Sequence, residues 1–281
     1  MTIRNSGFSD LKILINTALA ASLKDNNLDK NVIEDDILTL ATKVNYKYPS
    51  SFQNIRSKFG GSYDLYDDLQ RGIAILSREE ELAQYLLSFG NMHEAKLIEA
   101  YCDLFKFLDI ADNKKIKILD YACGQGLASI VLLNYIESNF NYCISNILKI
   151  ILVEPSKIAL KRAKDLLHGA STLQHINKKF DDVVEHDLKT DSKPIKIHLF
   201  SNILDMGGDH FDMNNLANII SKSQSGINYF VCVSALKKEK LDYFMSLFEN
   251  FQGFEKLSNY DGEFINRQNW KIKYNIFKVG I

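Results

Sequence analysis

Apolar side chains recur every three or four residues through the first hundred positions, the spacing of helices with one buried face. Leu11, Leu14, Ile15, Ala18 and Leu19 form one stripe that Leu23 continues; Ile33, Ile37, Leu38, Ala41 and Val44 form a second after the polar break KDNNLDK. Pro49 and the Gly60-Gly61 pair mark a loop. Leu65, Leu69, Ile73 and Leu76 then predict a third helix, and Leu82, Leu86 and Phe89 a fourth. Asn91, followed by Glu94 at the N3 position, reads as an N-cap with its acid. It opens a fifth helix through Leu97, Ile98, Tyr101, Leu104, Phe105 and Leu108.

From Ile116 the period changes. KIKILDY is a short apolar run with Asp120 near its end, and it leads straight into small residues and glycines. IILVE (Ile150–Glu154), Thr172–Ile176, Ile195–Phe200 and Tyr229–Ser234 read as further strands separated by helical stretches. Pro155 suits the first position of the helix after the second strand. Leu241, Phe244, Met245 and Phe248 mark another helix, and Trp270, Ile272, Tyr274 and Ile276 alternate like a half-exposed antiparallel strand. Strands alternating with helices over short connections predict a doubly wound α/β fold. The chain divides accordingly into an N-terminal all-helical domain over residues 1–90, read as a lid or acceptor platform, and an α/β domain over 91–281.

Charge narrows the choice of partner. Lys+Arg number 34 against 35 Asp+Glu, which excludes a chain coated in basic charge but leaves a local patch possible. The basic groups Lys157/Lys161/Arg162/Lys164 and Lys237/Lys238/Lys240 fall on helices, where solvated faces are the default; Lys178 and Lys179 follow the third strand. Cys102, Cys123, Cys143 and Cys232 form no CxxC pair, which suits a reducing compartment. The opening MTIRNSGFSD lacks the apolar stretch of a signal peptide, and no apolar run approaches the ~20 residues of a membrane span. A soluble, cytoplasmic protein with no membrane partner is expected.

The candidate chemistry lies between the first strand and its helix. In Asp120-Tyr-Ala-Cys-Gly124-Gln-Gly126, glycines allow a ligand close to the backbone, and the helix start beyond offers free N–H groups. Glu154, at the end of the second strand, is placed to accept hydrogen bonds from a pair of ribose hydroxyls. ILDYACGQG resembles motif I of the class I S-adenosylmethionine-dependent methyltransferases, VEPS resembles their motif II, and LFSNILD at Leu199–Asp205 stands where that family has motif IV. The resemblance spans roughly residues 91–281. It implies a Rossmann-like sheet of seven strands with the last antiparallel, and S-adenosyl-L-methionine as cofactor.

On that resemblance the cofactor residues are Asp120, Ala122, Gly124, Gly126, Glu154, Pro155, Lys179, Phe180 and Asn202. Asn177 to Asp181 are expected to flank the adenine; Phe180 reads equally well as a ring cover or as plain core, and Asp181-Asp182 as a helix cap. Ala122 replaces the first glycine of the family pattern, and Asp120 stands 34 residues before Glu154 where ~20 is usual. The helix is therefore longer, or residues near Asn139–Asn146 form an inserted loop. The rival ligand, a dinucleotide, would want G-x-G-x-x-G or a final alanine, but the loop here ends in Ser129.

For the reaction, Asn202 and Asp205 follow the fourth strand as a positioning amide and a base, and His93 is the best imidazole base on chemical grounds. With Tyr85, Asn91 and Met92, His93 belongs to a segment expected to break at Gly90-Asn91 and face the acceptor. SNIL lacks the Pro-Pro-aromatic element of DNA-base amino-methyltransferases. Asp205, Asp209, His210 and Asp212 read as a solvated loop with Asp212 capping the next helix, so no metal is assigned. The acceptor is unidentified, with a small molecule or protein favoured over nucleic acid. A non-catalytic S-adenosylmethionine-binding partner subunit and an RNA methyltransferase are the alternatives.

Overall fold

The computed structural model describes residues 63–108, 114–140, 146–234, 237–264 and 270–281. All belong to the second of two compact units, Ala41–Ile281. The two helices expected between Leu11 and Val44, and the loop around Pro49, lie outside the described residues.

The first helix, α1, covers Tyr63–Asp68 and ends sooner than its stripe predicts. Gln70 and Gly72 take positive φ angles of 47° and 91°, which break the helical path, so Ile73 and Leu76 sit in an irregular segment instead. Helix α2 (Glu79–Tyr85) is capped by Glu81, whose Oε2 accepts from the Ser77 and Arg78 N–H groups at 2.7 and 3.1 Å. It does not break at Asn91. The backbone runs on through one π turn, Leu86–Gly90, into α3 (Asn91–Phe107), with Gly90 itself helical at φ −54° and ψ −48°. Asn91 is therefore an interior residue, not an N-cap. The wide turn keeps Tyr85, Phe89 and His93 on one face, where their rings stack pairwise at 5.3 to 6.0 Å.

The α/β part follows as β1 (Ile116–Tyr121), α4 (Leu127–Asn139), β2 (Ile147–Val153), α5 (Lys157–Leu166), β3 (Thr172–Ile176) and α6 (Glu185–Leu188). Then come β4 (Ile195–Ser201), α7 (Met213–Ser223), β5 (Ile227–Ser234), α8 (Lys238–Ser246), β6 (Glu255–Phe264) and β7 (Trp270–Gly280). The N-cap of α5 is Ser156, whose hydroxyl accepts from the Ala159 N–H at 3.2 Å; Pro155 stands before the cap, not inside the helix. Asp212 caps α7 as expected, accepting from the Asn214 N–H at 2.8 Å.

The strands form one seven-stranded sheet in the order β3-β2-β1-β4-β5-β7-β6, parallel except for β7, which runs against both neighbours. β6 was invisible to periodicity: its sequence EKLSNYDGEF is polar on both faces, as an edge strand can be. Its register is held by β7, with Tyr260 stacked on Tyr274 at 5.2 Å. Strands β1, β2, β4 and β5 are buried along most of their length, the mark of parallel strands covered on both faces.

Several polar side chains stand inside that core, His198 among them. His198 on β4 is fully buried and stacked on Phe230 at 4.4 Å. Its Nε2 lies 3.1 Å from Asn228 Oδ1, and its Nδ1 lies 3.1 Å from the Tyr121 hydroxyl. Asn228 Nδ2 donates to the Gly226 carbonyl, so Oδ1 is the acceptor; Nε2 then carries the proton and Nδ1 accepts from Tyr121. Burial pushes the imidazole down to about 3, with the Asn228 bond opposing it. A depressed histidine contributes stability that is full above the unfolded value near ~6.5 and is lost as pH falls. His198→Phe should therefore unfold with a shallower acid dependence than the parent, by up to about 1.4 kcal/mol per pH unit between roughly pH 6 and 4, even if it is less stable at pH 7. Urea titrations at several pH values measure that slope.

Candidate active site

β1 delivers the chain to a loop bent by three left-handed residues, Ala122, Gly124 and Gly126, with φ of 51°, 52° and 83°. The Cys123 N–H donates to the Val153 carbonyl at 3.0 Å, tying the loop to β2. The two glycines are there for different reasons. A Cβ on Gly126 would stand 3.1 Å from Ala163 Cβ and 3.3 Å from Leu167 Cδ1, so α5 occupies the space. A Cβ on Gly124 would meet nothing within 4 Å; it would point into open space beside the loop.

Glu154 follows β2 and turns back to this loop. Its Oε2 accepts from the Gly124 N–H at 3.0 Å and its Oε1 from the Ser156 N–H at 2.8 Å. Burial raises its pKa, and the two N–H bonds pull the other way. Each oxygen keeps a lone pair for a ligand hydroxyl. Asn177 Nδ2 donates to the Glu154 and Pro155 carbonyls at 2.9 and 2.8 Å, fixing the turn that carries the acid. Asp120 serves the loop from behind: its Oδ2 accepts from the Ser129 N–H and hydroxyl at 3.1 and 2.6 Å, while Oδ1 is buried without a partner. Burial pushes that carboxyl up to about 7.

A cleft opens at the carboxyl ends of the strands. Of the residues expected around a cofactor, Ala122, Gly124, Glu154, Pro155, Lys179, Phe180 and Asn202 line it together. Asp120 and Gly126 lie behind the loop instead. Phe180 lines the cleft and packs edge-on against Phe211 at 4.8 Å. Asn202 sits at φ 59°, which asparagine tolerates better than other side chains, and its Oδ1 is buried with no partner.

The base candidates are placed differently. His93 is absent from the lining; it is buried among Tyr85 and Phe89, and burial, followed by the Lys96 charge, pushes it down to about 3. Asp205 is also absent from the lining; its Oδ1 accepts from the Ser234 hydroxyl and the Lys237 N–H at 2.5 and 3.3 Å, bracing the β4 turn against β5. The imidazole that does reach the cleft belongs to His210. Among the described residues no cluster of His, Cys, Asp and Glu is arranged to hold a metal ion.

The cleft has a second wall from the helical segment, in which Tyr85 was expected to face the acceptor. Gly72 to Leu76 and Tyr85 line it from the helical segment. Three polar links latch this segment to the glycine loop and α5. Ser156 Oγ donates to the Leu76 carbonyl at 2.6 Å, Gln125 Nε2 donates to the Leu82 carbonyl at 2.9 Å, and Arg162 donates to Gln125 Oε1 at 2.8 Å while pairing with Glu79. Arg162, expected on a solvated face, is buried, and burial holds its guanidinium down to about 10. Spacing on α5 alone did not reveal this, because its partners are distant in sequence.

No family model matches the sequence, and no curated protein is similar to it at a significant level. Solved structures are similar in fold at low identity. The N-methyltransferase NodS from Bradyrhizobium japonicum, in complex with S-adenosyl-L-homocysteine, is 9% identical, covers 76% of this chain and 98% of its own, and has a TM-score of 0.49. A SAM-dependent methyltransferase from Leishmania major is 13% identical over 76% of this chain and 82% of its own, with a TM-score of 0.45. A putative class I methyltransferase from Listeria monocytogenes is 15% identical over 88% and 86%, with a TM-score of 0.42. The strand order and the single reversed β7 decide the architecture. This is a Rossmann-like, doubly wound fold with a seven-stranded sheet.

Two substitutions separate the roles of the glycines. Gly126→Ala should lower unfolding free energy by about 2–3 kcal/mol, from a left-handed alanine plus the crowding against α5. Gly124→Ala should cost only about 1 kcal/mol in stability, because its Cβ meets nothing, while weakening whatever ligand lies on the loop. Chemical denaturation beside a binding isotherm distinguishes the two. Arg162→Ala should destabilise by about 2–4 kcal/mol by stranding Gln125 and Glu79, and limited proteolysis should then cut first within residues 72–82.

Proposed function

We propose that the chain is an S-adenosylmethionine-dependent methyltransferase acting on a small molecule or a protein side chain. The observation that carries this reading is the Glu154 carboxylate at the end of β2, hydrogen-bonded to the N–H of a glycine whose missing Cβ leaves the cleft open. The residues present fit the cofactor. Glu154 has free lone pairs for two ribose hydroxyls, Gly124 admits close approach to the backbone, and the buried, unpartnered Asn202 Oδ1 awaits a donor. Pro155 and Phe180 supply apolar surface for the adenine, with Lys179 at the rim.

The bound cofactor supplies a methyl group on a sulfonium, which an acceptor lone pair takes in line as the carbon–sulfur bond breaks. The chain's part is orientation and exclusion of water. Asn202, at the end of β4, positions the acceptor, and the segment 72–85 acts as the lid. Neither His93 nor Asp205 reaches the cleft, which favours an acceptor atom that needs little help in losing its proton. Among the described residues, Glu154, Lys179 and His210 are the ionisable acid, base and imidazole side chains that line the cleft, besides the phenol of Tyr85. That lining does not suit a nucleic-acid backbone, which needs several cations. That neither His93 nor Asp205 lines the cleft is what keeps a non-catalytic binding subunit as the second reading.

Saturating S-adenosylhomocysteine should raise the melting temperature by about 5 °C or more, and Glu154→Ala should abolish the rise. No shift with either cofactor form would overturn the proposal. Transfer of labelled methyl into fractions of metabolites or protein, with none into RNA, is the expected outcome; binding without transfer to any fraction would select the non-catalytic reading. Asn202→Ala should lower kcat more than it raises the KM for cofactor.

A further inference from the structure

The end of the sheet opposite the cleft carries a charge arrangement that methyl transfer does not use. Lys149 on β2, Lys117 on β1 and Lys196 on β4 are direct cross-strand partners, so three lysines stand side by side on one face of three adjacent parallel strands. Strands lie ~4.8 Å apart, which sets the outer stems about 10 Å from each other. Like charges in directly opposed positions are destabilising. One carboxylate answers them: Asp191, whose side chain is 65% exposed, pairs with Lys117 at 3.0 Å. Lys196 is buried and donates to the Ser225 carbonyl just beyond the end of α7, where a helix C-terminus favours a cation. Lys149, half-buried, has no hydrogen-bond or ion-pair partner among the described residues.

The electrostatics register the crowding. Burial, and then the charge on Lys117, lower the Lys149 pKa. Lys196 is pushed down to about 8, by burial first, with Asp191 opposing and Lys117 adding to the effect. The row ends on β3 at Thr172, an exposed hydroxyl paired in register with Lys149. The positive charge along three stems that span about 10 Å exceeds what one small monovalent anion can meet. A chain of linked phosphoryl groups offers several negative oxygens along such a line, and lysine binds phosphate as a compact point charge.

We propose that Lys149 and Lys117, the partly exposed members of the row, form an anion site that takes a short polyphosphate chain, with Asp191 as the resident counter-ion that the ligand displaces and the buried Lys196 adding positive charge from beneath. The site is independent of the methyltransferase reading, because it occupies the N-terminal ends of strands whose carboxyl ends form the cleft.

Isothermal titration of the full chain with inorganic tripolyphosphate, at fixed ionic strength, tests it. Saturable binding near one equivalent is expected, with orthophosphate at least tenfold weaker. Lys149→Gln, a change at a half-buried position, should weaken tripolyphosphate about tenfold. Asp191→Asn should tighten it several-fold, a direction that non-specific charge screening does not produce. ATP as a second probe separates sources: affinity equal to tripolyphosphate assigns the site to a nucleotide tail, and much weaker affinity assigns it to the free chain. No saturable binding at matched ionic strength, or an affinity unchanged in Lys149→Gln whose circular dichroism matches the parent, would overturn the proposal.

Discussion

The close approach of Gly126 to Ala163 on α5 determines much of what surrounds it. A loop that crosses a helix at this distance can carry no side chain at the crossing and must take a left-handed turn there. Once that crossing is made, Gln125 is held beside Arg162, which immediately precedes Ala163, and Gly124 is brought to the end of β2, where Glu154 accepts its N–H. The segment over residues 72–85 is then latched to atoms already fixed, through the Leu76 and Leu82 carbonyls. Packing and binding are thus one arrangement: the contact that stabilises α5 against the loop also opens the cleft.

Buried polar groups in this molecule divide by purpose. His198 is satisfied at both nitrogens and behaves as part of the core, held neutral by its surroundings. Asp120 and Asn202 each retain one buried oxygen without a partner, and both stand around the glycine loop and the β4 end. Unmet acceptors in an otherwise satisfied interior are costly, and they concentrate where a ligand is expected to bring donors. Lys96 and Asn134 are the exceptions: Asn134 Nδ2 on α4 has no partner, and the Lys96 ammonium on α3 is buried without one, where burial pushes it down to about 8.

The two ends of the sheet differ in kind. At the carboxyl ends, loops after β1, β2 and β4 converge on one cleft, as the doubly wound topology requires at the point where strand order reverses between β1 and β4. At the opposite ends, cross-strand register alone assembles the lysine row, with no loop involved. The near-zero net charge of the chain conceals that local excess, because acids elsewhere balance it.

How much was legible in the sequence depends on the range of the interactions. The alternation of strands and helices, the glycine loop, Glu154 and the Asp212 cap follow from neighbours within a few residues, and these stand as the pattern suggests. The Asn91 cap failed because the same polar residues also suit a helix interior once a π turn absorbs the mismatch. The helix at Ile73 failed because Gln70 and Gly72 turn left-handed, a choice that the apolar stripe does not register. β6 has no pattern of its own and exists because β7 offers it an edge. The sequence by itself determined the alternation of parallel strands and helices, the glycine loop and the acid at the end of β2, since local sterics and periodicity suffice for those. Which of His93, Asp205, Arg162 and Tyr85 meets the cleft was decided by packing between segments tens of residues apart, and one-dimensional spacing carries no record of that distance.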